Sequence, residues 1–241
     1  MFISIILLFL MIIIGYKIFR ENPPDFFSDD FSGKFREDKK AISTKKGTKK
    51  APASTPTSIL SYPLVYESFT KNIQQPISSK NLYKGKSEDF FEGYLKKYFG
   101  DNILINKALA INHTKNDVQD KFYFPDFIYQ NNDFFIDIEI DEPYSLPDGY
   151  PVHYQGLDNN RNNYFLRAGW HVIRFSEEQI MRQPAQCCRF LADFIQKKNQ
   201  KQTHQNISKE LENIPLISLK TRHWTREEAL YMFSNKYRDS Y

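Results

Sequence analysis

Residues 121–141 run KFYFPDFIYQNNDFFIDIEID, and the reading of this stretch decides the fold. Phe134, Ile136, Ile138 and Ile140 occupy alternate positions, with Asp137, Glu139 and Asp141 between them. Side chains alternate across a strand, so the isoleucines share one face and the three carboxylates the other. The preceding run, Lys121 to Tyr129, is rich in aromatic residues, and Gln-Asn-Asn-Asp at 130–133 separates the two. That pattern predicts a β-hairpin with a four-residue loop and Tyr129 facing Phe134. In this register Asp126 stands opposite Asp137 and diagonal to Glu139, about 7–8 Å away at Cβ or somewhat less.

Acidic residues are poor strand formers, and charges repeated at ~7 Å repel unless water or a cation compensates them. A solvated sheet face tolerates such residues without any function. A site for a hard cation gathers them for a purpose, because carboxylates on adjacent strands can converge on one ion. Oxygen ligands without cysteine favour Mg2+ (or Mn2+) over zinc.

Upstream, Ser87 is the expected cap of a helix whose apolar positions Phe90, Phe91, Tyr94, Leu95, Tyr98 and Phe99 recur at three and four, ending at Gly100-Asp101. Residues 103–111 alternate loosely, as a strand does. Downstream, a loop with Pro and Gly spans Glu142 to Gly156, a helix is expected from Asp158 through Arg167, and Gly169 stops it. Trp170 to Phe175 reads as a further strand, Ser176-Glu-Glu opens a short helix, and Pro184 begins another reaching about Lys198. The order predicts an α/β fold with a mixed sheet. Thr225 to Tyr237 reads as a last amphipathic helix, and the stripe of Trp224, Ala229, Leu230, Met232, Phe233 and Tyr237 is expected to pack back on its own domain.

At the other end, Met1 to Tyr16 carries no charge, and Lys17 and Arg20 follow at once. No basic segment precedes the apolar run and no small-residue cleavage site follows it, which argues against a secretory signal. The expectation is a single-pass membrane anchor over Met1–Phe19, with the soluble domain in the cytoplasm. The next residues, 20–57, are polar, interrupted by prolines, and carry six lysines between Lys39 and Lys50. This linker can lie on anionic lipid or a phosphate backbone, or remain simply solvated. The net charge of +4 in 241 residues neither demands nor excludes nucleic acid. Cys187 and Cys188 are adjacent, fit no zinc spacing, and are expected to be reduced. The organisation expected is anchor (1–19), linker (20–57), docking segment (58–86), α/β domain (87–200) and helical extension (201–241).

Pro125-Asp126 followed by Glu139 on the next strand resembles the pattern of the PD-(D/E)xK nuclease superfamily. Ile138-Glu-Ile-Asp141, then Asp158-x-x-Arg161, then Leu166-x-x-Gly169-Trp170-x-x-x-Arg174-Phe175 is similar to the branch related to very-short-patch-repair endonucleases. The resemblance covers about 105 of the 241 residues and implies a restriction-endonuclease-like mixed sheet flanked by helices, hydrolysing phosphodiester bonds. It implies Asp126 and Glu139 as metal ligands and Asp141 as a further ligand or water positioner. Glu88, ahead of Glu92, is the helix glutamate, and His153 (or Gln155) orients water or phosphate. Arg161 and Arg174 are the candidates to touch nucleic acid, DNA before RNA. Two departures stand out: Asp141 occupies the position usually held by lysine, and Asn162 replaces the acid that follows the helix arginine. They leave open a catalytically inactive domain that binds nucleic acid or protein at the membrane.

Overall fold

In the computed structural model, residues 60–80, 84–111, 121–146, 148–198 and 209–241 are described. The anchor and linker expected over 1–57 lie outside the described residues. Among the described residues, no helix is long and apolar enough to cross a membrane.

The acid-bearing strand β7 (Phe134–Asp141) is the middle of a five-stranded sheet. It pairs antiparallel with β6 (Phe127–Asn131) on one side and parallel with β8 (His171–Ser176) on the other. The parallel partner is reached through a loop and α2 (Asn159–Arg167), the long crossover that a parallel connection requires. The edges are β3 (Ile103–Leu104) beside β6 and β1 (Leu64–Tyr66) beside β8. A second, three-stranded sheet has β4 (Lys107–Ile111) between β2 (Ile77–Ser78) and β5 (Lys121–Tyr123).

Three expectations are corrected here. The hairpin turn is two residues, not four: Asn131 faces Phe134 and Asn132 adopts φ 52°. Asparagine tolerates this left-handed conformation, which a two-residue hairpin needs. The register therefore slips by two, which preserves faces but carries Asp126 level with Glu139, one step beyond the Phe127–Ile138 pair. Secondly, 103–111 is not one strand; the chain breaks at Asn106 (φ 53°) and its halves enter different sheets. Likewise 121–129 is divided at Phe124-Pro125-Asp126 between β5 and β6, where proline offers no ladder N–H. Thirdly, α1 (Lys86–Phe99) is capped at Gly85, with the Glu88 carboxylate accepting the Gly85 N–H at 3.1 Å; the Ser87 hydroxyl is buried without a partner.

The isoleucine face of β7 packs with Phe127, Tyr129, Ile173 and Phe175 against α1, through Phe91, Leu95 and Phe99. Beside α1 lie α3 (Glu177–Arg182) and α4 (Pro184–Lys198), which add Ile180, Cys187, Cys188, Leu191 and Ile195. Each such large apolar side chain contributes about 1.5–3 kcal/mol on burial. Both cysteines are free thiols in this core. The opposite face holds Phe135, Ile128 and Val172 against Phe165 of α2, Trp170 and Leu109 of β4; the Phe135 and Trp170 rings stack at 5.0 Å. A third cluster joins the two ends of the described chain: Tyr62 and Leu64 pack on Trp224 and on Ala229 of α5 (Arg226–Ser234). The docking segment thus supplies an edge strand of the main sheet. The final helix packs back on the domain through Ala229 and Met232, whereas Leu230 and Phe233 of the expected stripe stay exposed and the helix ends at Ser234, short of the expected Tyr237.

Candidate functional site

The face of β7 that carries Phe135 continues as Asp137, Glu139 and Asp141, and all three are buried, at 0%, 2% and 1% exposure. A solvated sheet face is therefore excluded. Over the acids lie Arg161 and Asn162 of α2, and His153 from the loop that enters it. That loop folds on itself through the Ser145 and Val152 N–H groups, which donate to Tyr150 and Pro143 carbonyls. Gln155 secures it to the C-terminal segment: its N–H donates to the Trp224 carbonyl and its side chain to the His223 carbonyl.

At one end of the network Asp141 is fully engaged. Arg174, level with Glu139 on the parallel strand, donates Nε at 2.9 Å and Nη2 at 2.6 Å to its two oxygens, and the Tyr62 hydroxyl donates at 2.9 Å. A bidentate guanidinium–carboxylate pair is the strongest hydrogen-bonded geometry available to these groups. Arg174 also donates Nη1 to Asn162 Oδ1 at 3.1 Å and Nη2 to Asp158 at 3.3 Å. Its side chain is 1% exposed, so a phosphate would have to displace Asp141 or Asn162 to reach it. Burial lowers, but the Asp141 and Glu139 carboxylates more than restore, the affinity of Arg174 for its proton.

His153 closes this end. Its Nδ1 lies 3.0 Å from Asp158 Oδ2, 3.0 Å from Arg174 Nη2 and 3.6 Å from Asp141 Oδ1. Burial alone would push the imidazole down, but the Asp141 charge and the hydrogen bond to Asp158 raise it to about 9. Protonated Nδ1 can only donate, so its hydrogen bond is to Asp158 and the Arg174 contact is a close approach of two donors. Against the cost of burial, His153 and Arg174 hold the Asp158 carboxyl well below the usual carboxylate range.

The other end is short of positive charge. Asp126 is half-buried and accepts the Ile140 N–H at 2.8 Å through Oδ2. Arg161 donates Nη2 to Glu139 Oε1 at 2.5 Å and to the Phe124 carbonyl at 2.7 Å. Glu139 also lies 3.7 Å from Arg174 Nη2, Asp126 and Asp137 feel the Arg161 charge, and the half-buried Glu88 lies near Glu139 and Lys84. Burial, followed by the Glu139 charge, raises Asp126 and Asp137 well above the ordinary carboxylate range; burial and Glu139 also raise Glu88. No donor reaches either buried oxygen of Asp137, whose protonated carboxyl can itself donate to Glu139, and Nε of Arg161 is buried without a partner.

The structure thus brings Asp126, Glu139 and Glu88 together at one end, and Asp141, His153 and Arg174 at the other, with Arg161 on the first group. Among the described residues, no three His, Cys, Asp or Glu side chains already converge as a metal-binding group. Oxygen ligands are of the kind a hard divalent cation takes, and an ion at Asp126 and Glu139 would lower Asp126 toward ordinary acidity.

Sequence reasoning missed Tyr62 altogether. It lies 79 residues from Asp141, and a tyrosine before a proline carries no local signal of that contact. Asp158 was visible in the Asp158-x-x-Arg161 spacing, though not as the partner of His153. No family model, no curated protein and no solved structure matches this chain.

Proposed function

We propose that this chain is a divalent-metal-dependent nuclease, hydrolysing phosphodiester bonds of nucleic acid, DNA before RNA. The mixed sheet serves in this reading as a restriction-endonuclease-like core, tethered to the cytoplasmic side of a membrane by Met1–Phe19. One observation carries the proposal. Asp126, Asp137 and Glu139 lie close together with Glu88 beside them, Arg161 and Arg174 both reach Glu139, and no donor reaches the Asp137 oxygens. Carboxyls held out of water at this density stay ionised only beside a compensating cation, and without one they take up protons.

Asp126 and Glu139 are the residues to hold Mg2+ or Mn2+, with Glu88 at the margin. A bound ion of this kind supplies positive charge for the scissile phosphate and a water of lowered pKa. Asp126 is oriented for its part by the Ile140 N–H. Arg161, partly exposed at 21%, is the cation that can meet a phosphate oxygen. Asp141, Arg174 and Asp158 form the rigid floor that keeps β7, β8 and α2 in register, and His153 caps it.

The test is Mg2+-dependent cleavage of supercoiled plasmid, single-stranded DNA and RNA by the full-length chain in detergent, beside Glu139→Ala. The expected outcome is metal-dependent cleavage by the parent and a loss of at least about 100-fold in the variant. Equal activity in both, or none in either on all three substrates, overturns the proposal.

A second reading has its own observation. Glu139 is already neutralised by Arg161, and Asn162, where relatives of the resembled branch carry an acid, is hydrogen-bonded to Arg174. Such a site, retired from catalysis, would leave a binding module at the membrane. Mn2+ titration separates the two, because a retired site binds the ion no better than buffer controls.

A further inference from the structure

Large apolar side chains stand in water on two parts of the surface that touch. Leu146 and Tyr150, 63% and 68% exposed, project from a turn in the loop that leads to His153. On α5, Tyr231 is 71% exposed, and Leu230 and Phe233 are exposed beside it. The turn is ordered: the Ser145 N–H donates to the Tyr150 carbonyl and the Gly149 N–H to the Ser145 carbonyl. It rests on the helix, for a Cβ on Gly149 (φ 69°) would lie 2.4 Å from the Phe233 ring, and the Tyr144 and Phe233 rings meet edge to face at 5.2 Å. Ala229 and Met232 face the domain, which turns Tyr231 outward. Apolar residues exposed singly need no explanation, but a joined set on an ordered surface marks an interaction site.

We propose that this face, the turn at Leu146 and Tyr150 together with α5, seats on a lipid surface. The choice of lipid rests on the membrane-tethered reading above. The chain arriving from the uncharged run of residues 1–16 enters the described domain at Leu60, which is itself exposed. Leu60 is joined to this end of the molecule. Its carbonyl accepts the His223 N–H, Ser61 bridges Arg222, and Tyr62 packs on Ala229 of α5. The tether therefore meets the domain beside the helix that carries the apolar face. Leucine, phenylalanine and tyrosine are side chains that a bilayer boundary accepts, apolar bodies entering it while phenol hydroxyls stay among the headgroups. The exposed charges nearby are mixed, Lys220, Arg226 and Lys236 against Asp148, Glu227 and Asp239. That balance does not suit a phosphate backbone, and it leaves insertion of the apolar side chains to carry the contact. Because the same loop continues into His153, seating orients the candidate site relative to the bilayer.

The experiment places a nitroxide at L146C or Y231C of the full-length chain in phosphatidylcholine vesicles, with I77C on β2 and K97C on α1 as controls. Cys187 and Cys188, the chain's two cysteines, are buried, so the introduced thiol takes the label. Melting temperatures equal to the parent's establish folding, and Y150C or L230C replaces a variant that melts lower. Relaxation by oxygen against a water-soluble nickel complex reads the depth. The expected result is labels at 146 and 231 about 5–10 Å into the boundary of headgroups and acyl chains, with those at 77 and 97 in water. Adding Y150D and L230D should return the label at 231 to water. Labels at 146 and 231 as open to water as the controls, in a chain that alkaline carbonate does not strip from the vesicles, overturn the proposal and leave the tether standing. A chain that carbonate strips, with both labels in lipid at neutral pH, removes the tether and keeps the face. Dipolar coupling between labels at 231 on two chains, without lipid contact, makes the face a contact between copies and also overturns the proposal.

Discussion

His153 is held at φ 51°, in the left-handed region that costs most residues about 1–2 kcal/mol, with Asp141 and Glu142 at 3.6 Å and Asp158 at 3.0 Å from its ring nitrogens. The imidazole is raised from its ordinary value to about 9 because, against burial, Asp141 and Asp158 favour the charged form. The folded protein therefore binds this proton more tightly than the unfolded chain. The resulting stability is complete below about pH 6.5, the unfolded value, and is lost as pH rises through about 9. His153→Asn, which keeps a residue tolerant of positive φ, is expected to flatten the fall in stability between neutral pH and pH 9. Urea midpoints of parent and variant across that range check it, and parallel curves would place the slope elsewhere. What the sequence conveyed about His153 was only its place in a loop. Its partners come from β7 and from the start of α2, and no local pattern links them.

At the next scale, two helix starts were legible, while the last helix, read through Tyr237, ends at Ser234. Ser176 and Gln179 cap α3 reciprocally, as Thr225 and Glu228 cap α5, and each pair is visible as a short spacing. Ser87 misled because Glu88 completes a cap with the backbone of Gly85 instead. The turn between α2 and β8 depends on Gly169 at φ 89°, where a Cβ would lie 2.7 Å from the Asn72 carbonyl oxygen. That approach is braced by the Gln74 N–H donating to the Ala168 carbonyl and the Trp170 indole donating to the Gln74 carbonyl. Gly169→Ala should cost about 2–3 kcal/mol of stability, from the left-handed backbone and the collision together. A melting curve within one degree of the parent would contradict it. The hairpin between β6 and β7 was legible in kind but not in register. A run of Gln, Asn, Asn and Asp satisfies a four-residue loop and a two-residue turn equally well, until strand pairing draws Gln130 and Asn131 into the ladder.

Across the whole molecule, the segment before α1 and the residues after α4 meet each other and the site. Tyr62 reaches Asp141 through its hydroxyl while its ring lies 5.1 Å from that of Trp224. Trp224 is 1% exposed, and its indole donates to the Val152 carbonyl in the loop that carries His153. Trp224→Ala should cost about 3–5 kcal/mol and, by loosening Tyr62 and that loop together, also shift the His153 titration seen by NMR. A normal melting temperature in this variant would show the C-terminal segment to be dispensable to the fold. The long reach of these contacts is why a domain boundary drawn at residue 87 from sequence misses β1, which supplies an edge of the main sheet.

The alternation in FFIDIEID by itself determined that β7 is a strand, that its acids share a face, and that the surrounding helices and strands form a mixed α/β fold. Periodicity is a local property of the chain and needs no knowledge of what lies opposite. Only the tertiary structure decided what covers that face: α2 and the His153 loop seal it, Arg174 takes up Asp141, and Arg161 stands on Glu139. Charge compensation is made in space by residues far apart in sequence, so a row of carboxylates announces a need for cations without naming those that meet it.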